Sequence, residues 1–123
     1  MAESKKILVV EDEEDMRDLI KVRLEVEGYE VLEAGDGEEA LRIVKKEKPD
    51  LIVLDLMIPK ITGFEVCRMV KFDDESKKIP IIILSAMAQQ RDREKAMEYG
   101  AEEYFIKPFD LGLMVVKMKQ MME

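Results

Sequence analysis

Histidine and tryptophan are absent from this chain of 123 residues, and cysteine occurs only once, at Cys67. Without histidine, neither histidine-based catalysis nor a histidine metal site is possible. One cysteine excludes a disulfide bond within the chain and fits the reducing cytoplasm, which is the location we expect.

The chain also lacks a long apolar segment and a surplus of basic residues. Only four apolar residues, 7–10, follow the polar N-terminus, so neither a signal peptide nor membrane insertion is expected. The 28 acidic residues outnumber the 20 basic ones, giving a net charge of -8, which argues against direct contact with nucleic acid. Length and composition are typical of one globular domain spanning residues 1–123.

Short apolar runs alternate five times with segments of helical periodicity. The run 51–54 ends on Asp55 and reads as a buried parallel strand, and similar runs occupy 7–10, 80–84 and 104–106, with a weaker one at 29–34. Between them, apolar residues recur at helical spacing, as in Met16, Leu19, Ile20 and Leu24. Alternation with short connections predicts an α/β fold with a parallel sheet and right-handed crossovers.

Polar side chains follow four of these strands: Glu11 with Asp12, then Asp55, Ser85 and Lys107. Because the carboxyl ends of parallel strands lie on one edge, these groups are expected to converge there. Three neighbouring carboxylates repel one another, and an all-oxygen set of this kind suits Mg²⁺. A carboxylate nucleophile, Mg²⁺, a lysine and a hydroxyl together favour phosphoryl transfer.

Each of these residues also has a plainer interpretation. Residues 11–14 are typical of an acidic helix start, Ser85 of a helix N-cap, and Lys107 of a surface lysine. Cys67 and the methionines of the last helix are most simply packing residues. One site, however, accounts for the acids, Ser85 and Lys107 together.

The motifs 7–13, 51–59 with Gly63, Ser85-Ala86 and 107–109 resemble those of response regulator receiver domains of the CheY kind, in order and spacing. The resemblance covers essentially the whole chain. It implies a doubly wound five-stranded parallel sheet, a (βα)5 flavodoxin-like and CheY-like fold with strand order 2-1-3-4-5.

The resemblance also implies a role for each site residue. Asp55 would take a phosphoryl group from the phosphohistidine of a sensor histidine kinase or phosphotransfer protein. Asp12, Asp55 and the backbone carbonyl of Met57 would ligate Mg²⁺, for which Mn²⁺ could substitute, with Glu11 acting largely through water. Ser85 would bond one phosphoryl oxygen and Lys107 another.

Tyr104 matches the family's switch aromatic, and the Lys107-Pro108 peptide is expected to be cis. By the same resemblance, the first helix and the loop after Lys107 would dock the kinase. The fourth helix, last strand and last helix would signal to a downstream partner, the domain being a monomer or a phosphorylation-dependent dimer. It would be a signalling domain rather than an enzyme, catalysing only its own phosphorylation and dephosphorylation.

Met57 and Met87 stand near Asp55, where other members often carry polar groups. Their apolar side chains cannot orient an attacking water, so we expect a comparatively long-lived phosphoaspartate. Three competing functions are a flavodoxin-like FMN carrier, a Mg²⁺-dependent phosphatase and a degenerate receiver that only binds partners. The acids at 11–15 disfavour the first, Met57 in place of a second acid disfavours the second, and the full acidic set disfavours the third.

Overall fold

The computed structural model describes residues 4–123, which form one parallel sheet with helices on both faces. The strands are β1 (Lys6–Val10), β2 (Glu30–Ala34), β3 (Leu51–Asp55), β4 (Ile81–Ser85) and β5 (Glu103–Ile106). The helices are α1 (Glu14–Val26), α2 (Gly37–Glu47), α3 (Gly63–Phe72), α4 (Gln90–Glu98) and α5 (Leu111–Met121). The strand order is β2-β1-β3-β4-β5, and every pair is parallel. The predicted fold class and strand order are confirmed.

The central strands β1, β3 and β4 contribute to two hydrophobic cores because their side chains alternate between the faces of the sheet. One core lies beneath α2, α3 and α4 and the other beneath α1 and α5. Cys67 is buried in the first and Met114 and Met118 in the second, so their interpretation as packing residues is confirmed. No helix within residues 4–123 has the length and apolar character needed to cross a membrane.

Packing decides which residues of the helices are buried. Leu19 shares the helical spacing of Ile20 and Leu24 but is 58% exposed, because those two residues and Met16 already fill the inward face of α1. The fourth helix begins only at Gln90 and has nine residues. Gly28 ends the first helix at a left-handed φ of 97°.

Lys71 links α3 to the neighbouring loop and to the start of β5. Its ammonium donates hydrogen bonds to the carbonyls of Lys77 and Ile79 and to the carboxylate of Glu102, and its side chain is only 14% exposed. The Glu102 carboxylate in turn accepts the N–H of Ile81 at the start of β4. Lys71 therefore satisfies acceptors from two segments at once.

Replacing Lys71 with methionine should lower the free energy of unfolding by about 1–3 kcal/mol, because the partly buried carbonyl of Ile79 loses its donor. Urea denaturation followed by circular dichroism would measure the loss. Lys77→Met is the matched control, since its ion pair with Asp74 is exposed and should contribute little. Equal effects of the two substitutions would contradict the role assigned to Lys71.

Candidate phosphoryl-transfer site

The polar residues singled out from the sequence meet at the carboxyl edge of the sheet. Glu11 and Asp12 directly follow β1, Asp55 and Ser85 are the last residues of β3 and β4, and Lys107 directly follows β5. Because β1 lies beside β3 and β3 beside β4, parallel pairing alone brings the three carboxylates to neighbouring strand ends. The predicted convergence is therefore present.

The three acids form one compact cluster closed by a lysine. A carboxylate oxygen from each of Glu11, Asp12 and Asp55 lies within 4.8 Å of the others. The Nζ atom of Lys107 is 2.7 Å from Oε1 of Glu11 and 3.0 Å from Oδ2 of Asp55. Lys107 is thus not an ordinary surface lysine: its side chain is only 15% exposed and bridges two buried acids.

Burial and mutual repulsion perturb the ionisation of the bridged groups. The pKa of Glu11 is raised to about 7, because burial and the neighbouring Asp55 raise it by more than the hydrogen bond from Lys107 lowers it. Burial alone would lower the pKa of Lys107, but its bonds to Glu11 and Asp55 outweigh that effect and raise it. Lys107 therefore remains an ammonium ion at neutral pH.

The acidic run after β1 divides into two parts with different surroundings. Glu14 and Asp15 occupy the first turn of α1, where the helix dipole favours negative charge. Glu11 and Asp12 precede the helix and belong to the cluster. Asp12 is exposed, and among residues 4–123 no hydrogen bond or ion pair joins its carboxylate to another side chain. The helix-start interpretation therefore fits Glu14 and Asp15, whereas Glu11 and Asp12 lie in the acidic cluster.

Ser85 and Tyr104 meet through the loop after β4. The Ser85 hydroxyl accepts the N–H of Met87 at 2.9 Å and does not cap α4, whose N-cap is Gln89. Tyr104 is buried, and its hydroxyl donates to the Met87 carbonyl at 2.7 Å. Burial raises the pKa of Tyr104, so the phenol stays protonated at neutral pH. The aromatic ring therefore occupies an inward position in this structure.

The loop after β3 is fixed closely against Asp55. The N–H of Met57 donates to Oδ1 of Asp55 at 3.0 Å, while the Met57 side chain is 63% exposed at the mouth of the site. A Cβ atom on Gly63 would lie 2.4 Å from the Asp55 carbonyl oxygen, so only glycine fits where α3 begins. Sequence reasoning treated Gly63 as a loop breaker and missed this close approach. The expected cis Lys107-Pro108 peptide is present.

The donor set fits a divalent cation. It consists entirely of oxygens and carries more negative charge than Lys107 can balance, which suits Mg²⁺ or Mn²⁺ rather than zinc. Asp12, exposed and without a side-chain partner in the described chain, is the member best placed to reach an ion from solvent.

The family model of the response regulator receiver domain matches residues 7–119. The chain belongs to this family. It is 47% identical over 106 residues to the alkaline phosphatase synthesis transcriptional regulatory protein PhoP of Bacillus subtilis, which covers 86% of this chain and 43% of PhoP. It is 48% identical over 105 residues to the probable transcriptional regulator ycf27 of Cyanophora paradoxa, a match that covers 85% of this chain and 43% of that protein. The chain thus spans less than half the length of these relatives.

Solved receiver structures superpose closely on the whole fold. A response regulator from Chloroflexus aurantiacus matches with a TM-score of 0.92 and 31% identity, covering 98% of both chains. CheY4 of Vibrio cholerae matches with a TM-score of 0.90 and 29% identity, covering 97% of this chain and 99% of CheY4. The receiver domain of the sensor histidine kinase PA1611 from Pseudomonas aeruginosa matches with a TM-score of 0.89 and 29% identity, covering 98% of each chain. That structure was solved with magnesium in its active-site cleft. This chain is a receiver domain of the two-component response regulator family.

Asp12→Asn should raise the free energy of unfolding in EDTA by on the order of 1 kcal/mol, because it relieves repulsion across less than 5 Å. Added Mg²⁺ should then stabilise the original protein more than the variant, since ligation favours the folded state. Thermal denaturation in EDTA and in Mg²⁺ measures both effects. Glu98→Gln makes the same charge change on the exposed surface of α4 and should alter neither the stability in EDTA nor the stabilisation by Mg²⁺. Identical behaviour of the two variants would contradict the role of the cluster.

Proposed function

We propose that Asp55 accepts a phosphoryl group from the phosphohistidine of a sensor histidine kinase or phosphotransfer protein, with residues 1–123 acting as one receiver domain. The observation that carries the proposal is the bridge from Lys107 to Glu11 and Asp55 beside Asp12, whose carboxylate has no side-chain partner among residues 4–123. A carboxylate oxygen of Asp55 attacks phosphorus, a P–O bond forms as the P–N bond breaks, and the electron pair passes to the imidazole nitrogen. Positioning and charge neutralisation supply the catalysis.

The metal ligands we propose are the carboxylates of Asp12 and Asp55 and the backbone carbonyl of Met57, with Glu11 acting largely through water. Mg²⁺ held there, or Mn²⁺ in its place, neutralises charge on the phosphoryl oxygens. Lys107 then exchanges its bond to Asp55 for one to a phosphoryl oxygen, while Glu11 keeps the ammonium in place. The 2.7 Å contact between Glu11 and Lys107 supports this division of roles.

The switch we propose runs through the loop after β4. When Ser85 turns to donate its hydroxyl to a phosphoryl oxygen, it releases the Met87 N–H that it holds in this structure. Because the Met87 carbonyl also accepts the Tyr104 hydroxyl, movement of this loop changes the hydrogen bonding of the switch aromatic. Phosphorylation of Asp55 is thus coupled to the positions of α4 and β5.

The exposed apolar residues fit two partner surfaces. Leu19, Val22 and Val26 form a stripe on α1 suited to the kinase, which would also contact the loop after Lys107. On the output side, Ile106, Leu113 and Val116 are exposed on β5 and α5. We propose that the α4-β5-α5 surface carries the signal to a partner or, after phosphorylation, to a second copy. The domain acts as a signalling switch and catalyses only its own phosphorylation and dephosphorylation.

Incubation with acetyl phosphate and Mg²⁺, followed by intact mass measurement, should reveal a single phosphoryl adduct that is labile to alkali. The adduct should be missing in EDTA and in Asp55→Asn, since the first lacks the cation and the second the nucleophile. Absence of an adduct with both acetyl phosphate and a phosphorylated histidine kinase would favour a degenerate receiver that only binds partners.

Met57→Asn should accelerate loss of the phosphoryl group several-fold, because an amide at the mouth of the site can orient a water that methionine cannot. The decay of the adduct, followed by intact mass after removal of acetyl phosphate, gives the rate. Met69→Asn makes the same exchange on exposed α3 and should leave the rate unchanged. An unchanged or slower decay in Met57→Asn would count against a methionine-dependent lifetime.

A further inference from the structure

The loop between β3 and α3, residues 56–62 and here called the metal loop, contains a strained turn. The Pro59 carbonyl accepts the N–H of Ile61 at 2.9 Å and closes a three-residue turn around Lys60. Lys60 has a φ of 70°, in the left-handed region that a side chain disfavours. Such a turn persists only where neighbouring structure holds it in place.

The neighbour that holds the metal loop is the first turn of α2. The N–H of Gly37 donates to the same Pro59 carbonyl at 3.2 Å. A Cβ atom on Gly37 would lie 2.2 Å from the Ile61 carbonyl oxygen and 2.8 Å from the Ile61 Cβ atom. Glycine is therefore required here by the close approach of the loop backbone. Lys60 also lies 3.7 Å from the Asp36 carboxylate, in an exposed ion pair that joins the same loop to the start of α2. Because it is exposed, this ion pair contributes little energy.

The first turn of α2 is itself firmly capped. The Asp36 carboxylate accepts the N–H of Glu39 at 2.8 Å, and the Glu39 carboxylate accepts the N–H of Gly35 at 2.9 Å. These two bonds fix the helix start in the manner of a capping box. Gly37 consequently presents its N–H to the metal loop from a rigid position.

We propose that the first turn of α2, through Gly37, is a positioning element that sets the affinity of the site for a divalent cation. The inference rests on the proposed function, in which the Met57 carbonyl of the same loop is a metal ligand. Gly63 fixes the loop at its far end against the Asp55 carbonyl, so Gly37 provides the second point of attachment. A side chain at position 37 would push residues 59–61 away from α2 and displace the Met57 carbonyl. Groups that orient metal ligands affect affinity strongly without touching the ion.

The test measures binding of Mn²⁺ by electron paramagnetic resonance, with Mg²⁺ as competitor, alongside thermal denaturation in EDTA. Gly37→Ala should bind Mn²⁺ at least tenfold more weakly than the unaltered protein. Gly35→Ala is the matched control, since its Cβ would meet only Nη1 of Arg17 at 3.4 Å, an ordinary van der Waals distance, and it should bind normally. A lower melting temperature with unchanged affinity would overturn the inference, because a purely structural role lowers stability alone.

The unaltered protein separates failure of the inference from failure of the proposed function. If it binds no Mn²⁺ and takes no phosphoryl group, both fail. If it does both and Gly37→Ala binds Mn²⁺ equally well, only the inference fails.

Should Gly37→Ala not fold, Asp36→Ala and Asp110→Ala provide a second comparison. Each removes one carboxylate that caps a helix, on α2 and α5 respectively, but only Asp36 supports Gly37. Asp36→Ala should weaken Mn²⁺ binding several-fold and Asp110→Ala should not; equal affinities would overturn the inference.

Discussion

Repulsion between carboxylates held at neighbouring strand ends is the constraint on which the rest of the site depends. Glu11 and Asp55 are both almost fully buried, and neither can move away because each directly follows or ends a central strand. Lys107 offsets part of this cost by contacting both groups. Burying like charges is expensive, and in the proposed function a bound divalent cation would relieve the repulsion that Lys107 leaves uncompensated.

The surrounding backbone allows the site little freedom to relax. Two glycines permit approaches that no other residue could make: Gly63 beneath the Asp55 carbonyl and Gly37 against Ile61. Between them the loop adopts a left-handed conformation at Lys60. Backbone strain of this kind persists only where contacts with the surrounding structure outweigh the local conformational preference of the residue. The close contacts that hold this loop therefore also fix the carbonyl proposed to ligate the metal.

Much of this arrangement could be predicted from the sequence because it depends on periodicity and topology. Apolar runs identify the buried strands, and parallel pairing then brings Asp55, Ser85 and Lys107 to one edge without further information. Contacts that depend on side-chain reach could not be predicted in this way. The direct contact of Glu11 with Lys107 requires knowing how far two flexible side chains extend across the cluster. Leu19 illustrates the same limit: helical spacing does not say where the inward face ends.

The loop after β4 shows how one short segment can serve two states. Ser85 and Tyr104 both bond to Met87, one at its N–H and one at its carbonyl, so the same residue connects the hydroxyl of the site with the aromatic of the output face. α4, which follows, has Ala96 as its one fully buried residue within the described chain and lacks a side-chain N-cap. A helix held by so few interactions can be repositioned at small cost. In the proposed mechanism, the hydrogen bond from Ser85 to the phosphoryl group on Asp55 supplies the bias, and this weakly attached helix is the element that responds to it.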